Sequence, residues 1–306
     1  MPTYLAGRIG QAIVAVFLAL TAVFFLVRIT GDPVILFLPL DVQPKDIAEF
    51  RHLLGFDRPL WMQYLDFVGR VAHGDFGVSL RYRAPALGLV LRRLPATAEL
   101  AVVSLAVVAA VAVPVGALSA MRRGTAVDHL GIALTAGGQA VPGFWLGLML
   151  IWIFGVWLRW LPVSGFGGWT HFVLPTLTLT AFYAAQIARI TRSSVLDALG
   201  QDFVRTARAK GLREPGVMVR HVIKNAAIPI VTVFGLNAGQ LLGGAVVTET
   251  IFAWPGMGAY ILNALLGRDF PVVMVGVFCT SAIYVTMNLL VDLSYLWLDP
   301  RVRYHA

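Results

Sequence analysis

An all-α, polytopic membrane protein with six transmembrane helices is the fold class this sequence predicts, on three observations. Of 306 residues, 58% are hydrophobic and only 13% are charged, against roughly 25% charged in a soluble globular domain. Apolar stretches near the ~20 residues that span a bilayer recur along the chain. Arginines flank these stretches in alternate loops, as they do in short cytoplasmic loops. The net charge of +8 therefore reads as orientation in a membrane. A nucleic-acid surface would gather the arginines into one stripe or patch, and here they sit beside apolar segments or in a single loop.

The first apolar stretch, 9–27, begins after Arg8. It is longer than the 7–15-residue core of a signal peptide, and no small-residue cleavage pattern follows it. It predicts an uncleaved first span with its start in the cytoplasm. Residues 30–96 then form a large extracytoplasmic insert whose polar part, 32–93, mixes both charge signs with aromatic residues. The positive-inside rule is weak for loops beyond about 60 residues, so the arginines here do not contradict that side. Within the insert, 44–54 has helical spacing with Pro44 suited to a first turn. A second short amphipathic helix is expected over 61–71.

The second span, 100–121, ends at Arg122 and Arg123. The third, 130–158, is longer than a bilayer requires and contains Gly137, Gly138, Pro142 and Gly143. A break or tilt is expected there, with neighbouring helices satisfying the freed backbone groups. Trp152, Trp157, Trp160 and Trp169 gather at its far end as an interfacial belt would. The fourth span, 172–188, returns to Arg189 and Arg192. The fifth is 226–248, and 249–270 is an outer loop holding the turn Trp254, Pro255, Gly256, Met257, Gly258. The sixth is 271–291, and a basic tail over 299–304 follows. With six spans, both termini are cytoplasmic and the arginines of every short loop are accounted for.

Catalytic and metal chemistry find no setting in this sequence. Cys279 is the one cysteine, which excludes an intrachain disulfide, and no Cys/His metal spacing occurs. His129 and His171 are expected at the interface. No G-x-S-x-G elbow is present. The three lysines, Lys45, Lys210 and Lys224, lie outside any G-x-x-x-x-G-K-[ST] phosphate loop, so the chain carries no ATPase of that type. Asp292, Glu249 and Glu99 fall at span ends, where solvated caps are expected rather than proton relays.

The cytoplasmic loop 189–225 has a helical pattern of its own. Residues 193–210 favour a helix, and Gly211 stands where a C-cap needs positive φ. Leu212, Arg213 and Glu214 lead to Pro215, which suits the first turn of a second helix. Leu212, Val217, Met218, Val222 and Ile223 offer an apolar face, and Arg213, Arg220 and Lys224 a charged one. Such a helix fits a groove on a partner protein or rests on anionic lipid, and its chemistry leaves both open. In the fifth span, Gly235, Gly239 and Gly243 make two overlapping G-x-x-x-G steps. Small residues at this spacing let two helices approach. The stripe is a possible subunit seam, with packing inside the chain the plainer reading.

The run Arg205-Thr206-Ala207-Arg208-Ala209-Lys210-Gly211 resembles the "EAA" loop of ATP-binding-cassette importer permeases. With Asp202-Phe203-Val204 before it and Leu212 after it, it is similar to the dipeptide, oligopeptide and nickel branch. Further pieces agree in order along the chain: Gly31-Asp32-Pro33, Leu54 to Leu60, Gly74 to Ser79, Arg93 to Thr97, Ala188 to Ser194, Trp254 to Gly258, and Asp299 to Tyr304. Arg205 stands where the broad family has the Glu of "EAA", Thr206 replaces its first Ala, and Pro229 lies further from Gly211 than the broad pattern has it. A Glu-centred docking account therefore does not carry over.

The resemblance implies an importer permease of the bacterial inner membrane, without catalytic or metal-binding residues of its own. It implies that Arg205, Thr206, Ala207, Arg208, Ala209, Lys210, Gly211, Leu212, Arg213 and Pro215 form the loop that couples to an ATPase. Implied partners are a second permease subunit, two ATP-binding-cassette ATPases that hold ATP and Mg, an extracytoplasmic substrate-binding protein and the lipid bilayer. The insert and the 249–270 loop would receive the binding protein. Cargo in this branch spans dipeptides, oligopeptides, glutathione, opines and nickel. A self-sufficient secondary transporter or channel is the competing class. Its marks, paired charges in mid-span or an inverted repeat, are not found.

Overall fold

Each long apolar stretch folds as a helix, because a backbone in hydrocarbon must satisfy its own N–H and C=O groups. A computed structural model of the chain describes residues 2–29, 49, 51–52 and 57–298. The motif Gly31-Asp32-Pro33, most of the helix expected over 44–54, and the basic tail lie outside those residues. Among the described residues there is no β-strand beyond one isolated bridge between Val78 and Pro85.

In chain order the helices are α1 (Pro2–Ile29), α2 (Leu60–Ala72), α3 (Ala86–Leu91), α4 (Leu94–Met121), α5 (Ala126–Ala140) and α6 (Gly143–Leu150), which runs on as a π-helical stretch over Ile151–Trp157. Then come α7 (Thr170–Leu199), α8 (Asp202–Ala209) and α9 (Glu214–Val217), which passes through a second π-helical stretch, Met218–Ile223, into α10 (Lys224–Leu242). The last three are α11 (Val246–Ile251), α12 (Met257–Leu266) and α13 (Phe270–Leu298). Among the described residues five helical stretches are long and apolar enough to cross a membrane. The pair α5 and α6 with its π-helical end, bent by 97°, makes a sixth when it is counted as one broken span. Val141 is extended at that bend and Pro142 caps α6, so the break falls between the glycine pair and Pro142-Gly143.

The outer loop expected over 249–270 is instead folded as α11 and α12. The fifth span stops at Leu242 rather than reaching 248, because Gly243 ends the helix and Gly244 takes φ 117°. The short amphipathic helix expected over 61–71 is α2, which lays Tyr64 and Phe67 on Phe24 of α1. Trp152, Trp157, Trp160 and Trp169 are all exposed, as a belt requires.

Lipid tails are as apolar as leucine, so helices in a membrane associate through close packing rather than through expulsion of water. Small residues make that packing possible here. Gly116 of α4 sits against the Ala188 carbonyl and Thr191 of α7. Gly131 of α5 lies on Ser119, and a Cβ at Gly138 would come within 2.6 Å of the Ala181 carbonyl of α7. Helices α4, α5 and α7 are thereby joined along their length. The stripe Gly235, Gly239 and Gly243 faces Val291, Tyr284, Met287 and Thr280 of α13. Along this stripe α10 packs closely on the last helix of the same chain.

Candidate functional site

The basic loop folds as two short helices that follow the C-terminal end of α7. Helix α7 runs to Leu199, the two residues Gly200 and Gln201 break it from α8, and Gly200 keeps a helical φ of −77°. The single helix expected over 193–210 is therefore two. Gly211 takes φ 77°, the conformation glycine adopts at no steric cost. The Gly211 amide donates to the Arg208 carbonyl at 2.9 Å and the Leu212 amide to the Ala207 carbonyl at 3.3 Å. This is a Schellman-like stop that satisfies the last carbonyls of α8. Pro215 lies in the first turn of α9, where its missing N–H costs nothing.

Burial separates the two faces of this element. Val204, Ala207, Val217, Met218 and Val222 are buried in one cluster with Ala120, Val195, Ala198, Ala226 and Ile230. The apolar face expected from Val217, Met218 and Val222 is thus turned inward, because α7 and α10 offer it a dry surface. Outward go Arg205, Thr206, Arg208, Ala209, Lys210, Gly211, Arg213 and Pro215. Between Asp202 and Pro215 the exposed large apolar side chains are Phe203 at 36% and Leu212 at 45%. Arg208 grips Glu214 across the turn, with Nε to Oε1 at 2.7 Å and Nη2 to Oε2 at 3.2 Å. That carboxylate raises the Arg208 pKa above its ordinary value and uses up its charge locally. Arg205 approaches Asp202 loosely at 3.7 Å. The surface left over is basic, with two apolar anchors, on a base welded to three spans.

A second polar cluster closes the opposite end of the molecule. Glu249 was expected as a solvated cap and is instead wholly buried. Its Oε2 accepts the Ala259 amide at 2.7 Å, and its Oε1 accepts the Thr97 hydroxyl at 2.8 Å. Thr97 Oγ1 in turn accepts the Met257 amide at 2.7 Å. The free N–H groups that open α12 are thus capped by side chains from α4 and α11. Burial pushes the Glu249 carboxyl up, and the Ala259, Thr97 and Gly258 hydrogen bonds oppose that rise. The Trp254 indole donates to the Ala96 carbonyl at 2.8 Å. A Cβ at Gly256 would fall on the Glu249 carboxyl, which explains the small residues of this turn.

Asp292 is also buried rather than solvated, and it pairs with Arg8 of α1 at 3.2 Å. Glu99 is exposed, as expected. Asp128, which sequence reasoning passed over, is 2% exposed and held by Arg192. Its signal was an acid in the first turn after the Arg122-Arg123 pair, where a membrane helix has little reason to keep one. Among the described residues no group of His, Cys, Asp or Glu is arranged to hold a metal ion.

Residues 112–304 match the family model described as binding-protein-dependent transport system inner membrane component, and residues 1–101 match the N-terminal model of the same systems. The chain is 37% identical to the dipeptide transport system permease protein DppB of Escherichia coli (strain K12) over 338 residues, covering 99% of each. It is 38% identical to the di/tripeptide transport system permease protein DppB of Pseudomonas aeruginosa (strain UCBPP-PA14), again covering 99% of each. Identity to the glutathione transport system permease protein GsiC of E. coli (strain K12) is 36%, over 99% of this chain and 100% of that one. Among solved structures, an inward-facing MetNI methionine ABC transporter matches with TM-score 0.52 at 18% identity, over 71% of this chain and 96% of that chain. That likeness speaks for the fold. With six membrane stretches, a punctuated basic loop and two family models covering almost its full length, the chain belongs to the binding-protein-dependent transport system inner membrane components.

Proposed function

We propose that this chain is a permease subunit of an ATP-driven, binding-protein-dependent importer of di- or oligopeptides or glutathione-like peptides. The observation that carries this is the match, over 99% of the chain, to relatives named as peptide and glutathione permeases. The chain itself is non-catalytic. ATP and Mg belong to two partner ATPases, a second permease subunit completes the pathway, and an extracytoplasmic binding protein delivers cargo to the face formed by the insert and by α11 and α12. Both termini lie in the cytoplasm.

In this reading Arg205–Gly211, with Leu212, Arg213 and Pro215, is the coupling element. Phe203 and Leu212 enter an apolar cleft of an ATPase, and Arg205, Lys210 and Arg213 meet its charges. The cluster beneath them ties the element to α4, α7 and α10. A shift imposed by the ATPase therefore passes into the spans as a rigid displacement and biases a two-state equilibrium of the pathway.

Purification of the chain with its partners, followed by reconstitution into vesicles, tests the proposal. Uptake of di- and tripeptides that needs both ATP and the binding protein is the expected result. Uptake of nickel or opines instead would move the chain to another cargo class. ATP-independent uptake by the chain alone would overturn the reading.

A further inference from the structure

Arginines crowd the end of the molecule opposite the coupling element. Helix α4 is 28 residues long, about 40 Å at 1.5 Å per residue. Arg93 caps its start, while Ala120, near its end, is packed under α8 and α9. At the Arg93 end a column is built from four side chains. The Arg81 guanidinium lies 5.7 Å from the centre of the Tyr82 ring. Tyr82 stacks on Tyr260 at 6.2 Å and 29°, and the Arg93 guanidinium lies 5.4 Å from the Tyr260 centre.

Two more arginines stand on the turns that support the column. Asp269 joins these turns: it accepts the Ser79 hydroxyl at 2.5 Å, the Leu80 amide at 3.2 Å and the Arg81 amide at 3.4 Å. Arg83 and Arg268 flank this staple with φ of 49° and 53°, a left-handed conformation that costs a side-chain-bearing residue energy. The fold holds both arginines outward all the same. Arg81, Arg83, Arg93 and Arg268 are exposed. No carboxylate lies within ion-pair distance of any of them among the described residues. Asp269 is buried and its oxygens are already engaged, so it serves as a clamp rather than a counter-charge on the surface.

From this arrangement we propose that the column formed by Arg81, Tyr82, Tyr260 and Arg93, with Arg83 and Arg268 beside it, is a docking surface for an acidic patch on the extracytoplasmic binding protein. The inference rests on the importer reading and adds the chemistry of recognition. The positive-inside rule is weak in the long insert that carries Arg81, Arg83 and Arg93, so membrane orientation does not account for their clustering. Arginine and tyrosine are the residues that anchor protein interfaces. Guanidiniums held on stacked rings lose little rotamer freedom on binding. A lipid headgroup would need only long side chains reaching to the interface, without a fixed column. Uncompensated positive charge of this kind speeds encounter with an acidic partner and fixes its orientation, and salt weakens it.

The test uses the assembled permease–ATPase complex in nanodiscs of phosphatidylcholine, and again with added phosphatidylglycerol. Binding of the purified, cargo-loaded binding protein is measured at low and high salt. The triple reversal R81E/R93E/R268E is expected to weaken binding at least tenfold at low salt in both lipids, and to flatten the salt dependence that wild type shows. The milder R81Q/R93Q, recovered as a monodisperse complex, is expected to fall between them, and reversal of acidic residues on the binding protein is expected to restore affinity. Wild-type affinity in both variants overturns the proposal, and so does a loss confined to phosphatidylglycerol nanodiscs, which would assign the column to lipid. If wild type itself binds no such protein, the importer reading fails first.

Discussion

Arg192 holds Asp128 in a two-pronged ion pair, Nε to Oδ1 at 2.6 Å and Nη2 to Oδ2 at 2.8 Å. The Gly124 amide is a third donor to that carboxylate, at 3.0 Å. The pair ties the first turn of the bent third span to α7, one turn before the cluster that carries the coupling element. Removing one partner of a buried pair leaves the other charge uncompensated, whereas removing both does not. Asp128→Asn is therefore expected to lower the unfolding temperature of the detergent-purified chain more than the double change Asp128→Asn/Arg192→Gln does. Equal losses would show that the pair adds nothing beyond its separate side chains.

The Thr97 hydroxyl both accepts the Met257 amide and donates to Glu249. Thr97→Val keeps the shape and removes both hydrogen bonds, leaving a buried N–H without an acceptor, at a cost of about 1–3 kcal/mol. Gly256→Ala is expected to cost more, because its Cβ falls on the Glu249 carboxyl. Thermal melts of the two variants order them. A neutral Gly256→Ala would contradict the packing described.

Glu249 lies in α11, outside the spanning segments, and gives a pH dependence whose sign is fixed. Its folded pKa is raised above the ordinary 4.5, so the folded state keeps a proton that the unfolded state releases. The stability this contributes is fully present below 4.5 and is lost as pH rises through the folded pKa. Wild type is expected to lose stability relative to Glu249→Gln as pH is raised from about 4.5. Melting curves of both proteins across that range check it, and a gap that is constant or that widens in favour of wild type would contradict it.

Gly235 of α10 faces Val291 of α13 with no room for a side chain. Overpacking of this kind costs about 1–3 kcal/mol. Gly235→Leu is expected to destabilise the isolated chain, before any partner is added. Loss seen only in the assembled complex would return the stripe to an interface between subunits.

The spans were legible because a bilayer imposes length and apolarity on each, and the arginine flanks assigned their ends. The break in the third span was legible from Gly137, Gly138, Pro142 and Gly143, and the stop at Gly211 from one glycine followed by Pro215. Contacts distant in sequence were not legible. Nothing local in Thr97 or Glu249 says that both cap α12, 152 residues apart. Arg192 reads as an ordinary span-end charge, and Asp128 carries no signal of a partner until the fold brings the two together. The inward turn of Val217, Met218 and Val222 was missed for a related reason: an amphipathic period gives a face but does not say which neighbour covers it.

Gly211 has open space around it, so a side chain there meets only the penalty of positive φ, roughly 1–2 kcal/mol, and whatever docks on the loop. Gly211→Val is expected to lower ATP-driven uptake severalfold while the chain still inserts and assembles. Uptake at wild-type rate, with membrane content confirmed by immunoblot, would remove the loop from coupling.

Site-specific crosslinking at Thr206 tests the coupling role most directly. Cys279, the one native cysteine, is buried and can be replaced by Ser to give a clean background. With T206C in the purified complex, a short reagent with one thiol-reactive and one photoreactive end is expected to join this chain to an ATP-binding subunit, with a yield that changes when ATP is added. Absence of that product from a complex that transports, in every nucleotide state, would contradict the account and leave the basic loop as a surface resting on lipid.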